Sequence, residues 1–258
     1  MTSVVTADHG AVRVLTMNRP HARNALNRDL IEALYAALVE ADSDTSVRAV
    51  ILTGADPAFC AGVDLKEAQR LGMDYFEKFQ SHNCITKPAE MATPIIGAIN
   101  GATFTGGLEM ALACDFLIAS QRAVFADTHA RVGILPGGGM TARLPGRVGA
   151  AMARRLSMTG EVVDADHAER IGLVTEVVTH EHLLSRAIEI ATHIAEVPAP
   201  IMAGLKDIYV QGAAEVTNAA LAAEQAIAKT IRPDTDGLDA RRAAVTARNK
   251  SQLPQQLQ

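Results

Sequence analysis

The sequence predicts an α/β core followed by a helical C-terminal region. Short apolar runs alternate with amphipathic segments through the first half of the 258-residue chain, and alanine-rich segments of helical spacing follow Glu181. Strands separated by helical segments imply crossover connections and mainly parallel pairing. The length suits one large domain with a helical extension, so we assign residues 1–195 to the core and 196–258 to the helical region.

Five apolar runs predict the strands, at residues 11–17, 47–53, 95–99, 114–119 and 173–178. Between the first two, apolar residues from Leu30 to Ala41 recur at helical spacing, and Asn27 is placed to cap that helix. Pro198, Pro200 and Pro233 are expected to break the later helices, and the polar tail is expected to fray.

Composition excludes several classes of protein. The 24 Lys and Arg residues against 29 Asp and Glu give a net charge of −5, which argues against a general nucleic-acid binder. The three cysteines form no CxxC pair, so we expect no metal site and a reducing compartment, the cytoplasm. We expect no secretory signal and no membrane span. The uncharged stretch 91–108 contains Pro94, Asn100 and four glycines, which indicates a buried strand, a turn and a helix start.

Two glycine-containing turns follow predicted strands, at residues 59–66 and 100–109. Each places a small residue where a helix should begin, and a helix start carries unpaired backbone N–H groups. If the turns meet, they supply two donors to one oxygen, which is an oxyanion hole suited to an acyl or thioester carbonyl. Taken singly, each turn is equally consistent with simple packing of a sheet. Neither is a P-loop or a GxGxxG motif.

Glu109 lies one turn into the helix that follows the second glycine turn. Its neighbours Leu108, Met110, Ala111 and Leu112 are apolar, and a carboxylate in such a run is costly unless it is paired or used. Burial would raise its pKa toward the range useful for proton transfer. An acidic residue in a first turn is otherwise explained by the helix dipole.

Four ordered segments, FCAGVDLKE, NGATFTGGLEMALACDFLIAS, VGILPGGGMTARLP and MTGEVVDADHAERIGLVTEVV, resemble the crotonase superfamily, and within it the enoyl-CoA hydratase/isomerase family. The resemblance runs from about residue 10 to about residue 250. It implies a crotonase-like spiral of ββα units with a helical C-terminal trimerisation region, and a homotrimer or a dimer of trimers.

The resemblance also implies site residues. Val63 and Gly106 match the positions whose backbone N–H groups hold the thioester oxygen, and Glu109 matches one of the two glutamates of the hydratases. The positions that match segments lining coenzyme A are Arg23, Ala25, Ala61, Asp64, Leu65 and Lys66. Arg23 and Lys66 are equally explained as surface charge.

The main departure from the family pattern is His129, which stands where the second glutamate is expected. Three interpretations remain open: His129 replaces the glutamate as acid or base, leaves Glu109 to work alone or with water, or only shapes the pocket. Asp127 either orients His129 or caps a short helix.

We expect an acyl-CoA enzyme that stabilises a thioester enolate, with hydration of a 2-enoyl-CoA as its reaction, Glu109 and His129 as catalytic residues and no cofactor. The alternatives are another crotonase reaction such as enoyl-CoA isomerisation, or a catalytically weak acyl-CoA-binding protein. Residues 65–90 are expected to wall the pocket, although their apolar side chains fit a core equally well. These are Leu71, Met73, Tyr75, Phe76 and Phe79.

Overall fold

A computed structural model describes residues 2–230 and 237–252. Within these residues the backbone forms ten strands and twelve α-helices. The strands are β1 (Val4–His9), β2 (Val12–Met17), β3 (Ala49–Gly54), β4 (Ala58–Cys60), β5 (Ile95–Ile99), β6 (Ala102–Phe104), β7 (Phe116–Ser120), β8 (Val124–Ala126), β9 (Val163–Asp164) and β10 (Glu176–Val178). The helices are α1 (Arg28–Ser43), α2 (Leu65–Leu71), α3 (Met73–Ser81), α4 (Lys87–Glu90), α5 (Gly106–Ala113), α6 (His129–Val132), α7 (Met140–Val148), α8 (Ala150–Thr159), α9 (Ala165–Arg170), α10 (Leu183–Glu196), α11 (Ala199–Thr230) and α12 (Leu238–Gln252).

Two sheets form the core. The larger has the order β1-β2-β3-β5-β7-β10, in which only the β1–β2 hairpin is antiparallel. The smaller has the order β4-β6-β8-β9, parallel except for the last pair. Successive chain segments place one strand in the larger sheet, the next in the smaller, and then a helix, as in β3-β4-α2, β5-β6-α5 and β7-β8-α6. This repeated unit is the expected ββα spiral.

Alternation along the central strands explains why both faces of the larger sheet are covered. In β3, Val50 and Leu52 point into the cluster that includes α1, whereas Ala49 and Ile51 point into the cluster that includes α10. Helix α1 begins as expected, because the side chain of Asn27 accepts a hydrogen bond from the amide of Leu30 at 3.0 Å.

The expected strand at 95–99 is confirmed with its bounds, and those at 11–17, 47–53 and 114–119 are displaced by one or two residues. The expectation for 173–178 was too long, because only Glu176–Val178 pairs with β7 and residues 173–175 lead into it. Strand β1 and the four short strands of the smaller sheet were not predicted from the sequence.

The helical C-terminal region is confirmed over the described residues. Pro198 lies between α10 and α11, and Pro200 lies in the first turn of α11, where proline is tolerated. Pro233 and residues 253–258 of the tail lie outside the described residues. In the part of the chain that the structure describes, no helix is long and apolar enough to cross a membrane.

Candidate active site

A cavity of about 1280 Å³ opens beside the ends of β5 and β6 and is walled by helices from both ends of the chain. This volume exceeds the roughly 300–1,000 Å³ of ordinary small-molecule pockets, so it accommodates a ligand larger than most of them hold. Glu109 and His129 line it together with both glycine turns. Apolar side chains of α3 and of the segment after α6 supply much of its remaining wall.

The two glycine turns meet at the cavity. A Cβ atom built on Gly62 would lie 3.3 Å from the amide nitrogen of Gly106, and one built on Gly106 would lie 3.9 Å from the Cγ1 of Val63. Among the described residues, neither the Val63 nor the Gly106 amide donates a hydrogen bond to a protein group. The expected oxyanion hole needs two free amide donors on adjoining turns, and Val63 and Gly106 supply them.

Thr105 brings Gly106 to this position through an unusual backbone conformation, with φ of 47° and ψ of −119°. A non-glycine residue in this region stores about 1–3 kcal/mol of strain. The amide of Thr105 donates to the carbonyl of Ala126 at 3.1 Å, and its hydroxyl occupies the space beside Gly62. Packing against the neighbouring turn therefore holds the strained residue that starts α5.

Glu109 is buried in the first turn of α5, with 3% of its surface exposed. Its Oε1 accepts hydrogen bonds from the amides of Gly138 at 2.8 Å and Met140 at 3.2 Å, at the start of α7. Its Oε2 lies 3.6 Å from the Nε2 of His129. One carboxylate oxygen is thus fixed by backbone amides and the other is directed toward the imidazole.

His129 is also buried, and its ring is oriented by Asp127. The Nδ1 of His129 lies 2.7 Å from the Oδ1 of Asp127, and the same oxygen accepts the amide of His129 at 3.2 Å. Helix α6 is capped at Thr128, with no capping bond from that side chain. Asp127 therefore orients the imidazole, as one of the two interpretations proposed; the other is wrong, because Thr128 and not Asp127 stands at the N-cap.

The three groups perturb one another's proton affinity. Burial raises the pKa of Glu109, and the charge of Glu224 adds to this rise. The charge of His129 and the amide hydrogen bonds lower the pKa, but the net pKa is raised. Burial lowers the pKa of His129, but Glu109 and Asp127 outweigh it and the net pKa is raised. Burial raises the pKa of Asp127, yet hydrogen bonding and charge from His129 leave it lowered. Asp127 thus favours a cationic imidazole beside Glu109.

The residues expected to contact coenzyme A all line the cavity, namely Arg23, Ala25, Ala61, Asp64, Leu65 and Lys66. Arg23 and Lys66 are exposed there. The carboxylate of Asp64 is engaged elsewhere, since it pairs with Arg19 at 3.2 Å and caps α2 at the amide of Glu67. Asp64 therefore lines the cavity while its carboxylate holds the start of α2 in place.

Some of the apolar residues at 65–90 line the cavity and the others belong to the core. Met73, Phe76 and Phe79 line the cavity. Tyr75 is fully buried, and its hydroxyl donates to the carbonyl of Leu26 and accepts the amide of Asp64. Leu71 packs against the core.

Sequence reasoning missed the groups that hold Glu109 in place. The amides of Gly138 and Met140 carry no side-chain signal, although they lie in the glycine-rich segment quoted for the resemblance. Glu224 lies in an alanine-rich part of α11. Its partner, the amide at position 139, is 85 residues away in the sequence, and no spacing rule connects the two.

Comparison with known proteins identifies the family of this chain. The family model described as enoyl-CoA hydratase/isomerase matches residues 7–243. The probable peroxisomal enoyl-CoA hydratase 1 of Arabidopsis thaliana is 38% identical over 81% of this chain and 78% of its own. The mitochondrial enoyl-CoA hydratase of Pongo abelii is 38% identical over 81% of this chain and 72% of its own. The crystal structure of an enoyl-CoA hydratase from Mycobacterium tuberculosis H37Rv superposes with a TM-score of 0.81, at 46% identity, over 89% of this chain and 99% of that one.

Proposed function

Because the chain belongs to the enoyl-CoA hydratase/isomerase family, we propose that it hydrates the double bond of 2-enoyl-CoA thioesters. The observation that carries the proposal is the meeting of two free backbone amides with a buried glutamate and a buried histidine in one cavity. Hydration requires a group that activates water, a group that protonates C2, and donors for the enolate oxygen formed between these steps.

The proposed reaction begins with the thioester oxygen accepting hydrogen bonds from the Val63 and Gly106 amides. The Oε2 of Glu109 takes a proton from water as the water oxygen bonds to C3, and the electron pair of the double bond moves onto the thioester oxygen. The Nε2 of His129 then gives a proton to C2 and restores the carbonyl. Transfer of the proton on Glu109 to His129 across 3.6 Å returns both groups to their starting states.

The proposal requires no cofactor, because backbone amides polarise the thioester and two side chains carry the protons. Coenzyme A enters as part of the substrate, and we assign its contacts to the cavity wall at Arg23, Ala25, Ala61, Leu65 and Lys66, with Asp64 positioning α2. The free, buried thiols of the three cysteines are compatible with the reducing cytoplasm that we propose as its location.

We also propose that the chain assembles as a homotrimer or a dimer of trimers through α11. Contiguous exposed apolar surface on a soluble protein marks an interaction site. Large apolar side chains are exposed along this helix at Ile201, Leu205, Ile208, Tyr209, Val210, Val216 and Ile227.

Turnover of crotonyl-CoA and of a longer 2-enoyl-CoA tests the reaction, followed by loss of the conjugated-thioester absorbance. We expect hydration by the wild-type protein and a fall in kcat of about 100-fold or more for His129→Ala, the range for loss of an acid or base. The matched control is His193→Ala, at an exposed position on α10. Full activity of His129→Ala would remove His129 from the mechanism. Isomerisation of a 3-enoyl-CoA by a wild-type protein that does not hydrate would contradict the proposed function.

A further inference from the structure

Helix α11 lines the cavity with residues of its C-terminal turns, and a buried glutamate of the same helix lies beside the active site. Within the described part of this 32-residue helix only Lys206 and Glu224 are buried. Lys206 pairs with Asp115 at the far end of the helix, at 3.0 Å. Glu224 is 7% exposed and lies against the start of α7. An acidic residue buried this deeply needs partners that offset its desolvation.

The partners of Glu224 are the backbone and one hydroxyl of the segment that begins α7. Its Oε1 accepts the amide of Gly139 at 2.7 Å. Its Oε2 accepts the amide of Thr141 at 2.7 Å and the hydroxyl of Thr141 at 2.5 Å. Both carboxylate oxygens are therefore occupied, and Glu224 does not line the cavity.

The backbone amides of residues 138–141 donate alternately to Glu109 and to Glu224. Gly138 and Met140 donate to Glu109, whereas Gly139 and Thr141 donate to Glu224. Four consecutive amides are thus divided between two buried carboxylates on different helices. Any displacement of this segment moves the donors that fix the Oε1 of Glu109.

The surrounding charges come from several neighbouring elements. His129 on α6 faces Glu109, and Asp127 at the end of β8 faces His129. Arg143 on α7 donates to the carbonyl of Gly138 at 2.7 Å and interacts with Glu109, Glu224 and Glu90. Glu224 supplies the charge from α11 and raises the pKa of both Glu109 and His129.

We propose that Glu224 is the positioning residue for Glu109, so that α11 completes the active site in addition to presenting the surface assigned to assembly. Glu224 fixes the segment 138–141 by its hydrogen bonds, and through this segment it fixes the carboxylate that activates water. Its charge also shifts to higher pH the range in which Glu109 and His129 hold their working protonation states. This inference rests on the proposed hydratase function.

Glu224→Gln tests the proposal, with Glu215→Gln as the matched control because Glu215 is exposed on the same helix. The glutamine keeps one acceptor oxygen and the size of the side chain but removes the charge and one acceptor. We expect kcat to fall about tenfold with KM changed less than about twofold, since misplacement of a catalytic group acts on the chemical step. Both limbs of the pH profile should move to lower pH, because the variant loses a negative charge that raises both pKa values.

A substrate-free measurement separates this inference from the proposed function. NMR titration of the His129 imidazole in the free protein should give a lower pKa in Glu224→Gln than in the wild type or in Glu215→Gln. A lowered pKa with no hydration by any of the three proteins would contradict the hydratase function alone. An unchanged pKa, together with a pH profile and kcat equal to those of Glu215→Gln, would overturn the role of Glu224. Circular dichroism confirms that each variant is folded.

Discussion

Replacing Gly62 with alanine tests whether the approach of the two turns creates the oxyanion hole. The new Cβ would lie 2.1 Å from the hydroxyl of Thr105, 2.9 Å from the carbonyl of Phe104 and 3.3 Å from the amide of Gly106, at a φ of +91°. A left-handed φ costs an alanine about 1–2 kcal/mol, and forced overpacking adds about 1–3 kcal/mol. The variant should therefore lose about 2–5 kcal/mol of stability, with part of the strain relieved by moving the Gly106 amide.

Thermal unfolding and crotonyl-CoA hydration measure the two consequences. At about 2–4 °C per kcal/mol for a chain of this size, Tm should fall by about 4–20 °C. Loss of one oxyanion donor should lower kcat by about 10²–10³-fold, measured well below Tm.

Gly10→Ala is the control for Gly62→Ala, because Gly10 has a φ of +64° but a Cβ there meets nothing within 4 Å. It should lose only the backbone contribution of about 1–2 kcal/mol and keep full activity. If Gly62→Ala retains the same kcat as Gly10→Ala, the two turns do not form the oxyanion hole.

Three other perturbations address the remaining parts of the site. Asp127→Asn removes a charge that raises the pKa of His129, so the alkaline limb of the kcat profile should move to lower pH, with kcat down roughly 10- to 100-fold; an unmoved limb would contradict this role. Arg23→Ala and Lys66→Ala should each raise KM for crotonyl-CoA about 2- to 5-fold. Neither should affect crotonyl-pantetheine, which lacks the nucleotide, and equal effects on both substrates would refute contact with the nucleotide of coenzyme A. Val216→Glu should dissociate the assembly in light scattering, whereas an unchanged mass would place the interface elsewhere.

Much of the larger sheet was predictable from the sequence because its strands are buried on both faces. Runs such as Ala49–Gly54 and Ile95–Ile99 are almost wholly apolar, and burial on both faces selects such runs. The smaller sheet was not predictable, since Ala58–Cys60 and Ala102–Phe104 are three residues long and adjoin the glycine turns. Their strand conformation comes from pairing with each other, which no local pattern encodes.

The candidate site divides in the same way. Both turns and Glu109 were identified from the sequence because a glycine or a carboxylate interrupts an apolar run at each place. His129 was identified from the family resemblance, because it stands where the second glutamate is expected. The distance between Glu109 and His129 depends on how successive turns of the spiral stack, and hydrophobic periodicity does not specify it. Glu224 was missed because its partners are backbone amides far away in the chain, and any residue type except proline supplies such donors.

The most direct test of the central claim is the rate of crotonyl-CoA hydration by the wild type and by Glu109→Gln, with unfolding measured on both proteins. The glutamine retains an acceptor for the amides of Gly138 and Met140 but cannot take a proton from water. Because the pKa of Glu109 is raised on folding, its charged form costs stability above the pKa of the unfolded state, and the variant should be no less stable near neutral pH. We predict a fall in kcat of about 10²–10⁴-fold with an undiminished Tm. Hydration by Glu109→Gln at the wild-type rate would contradict the account.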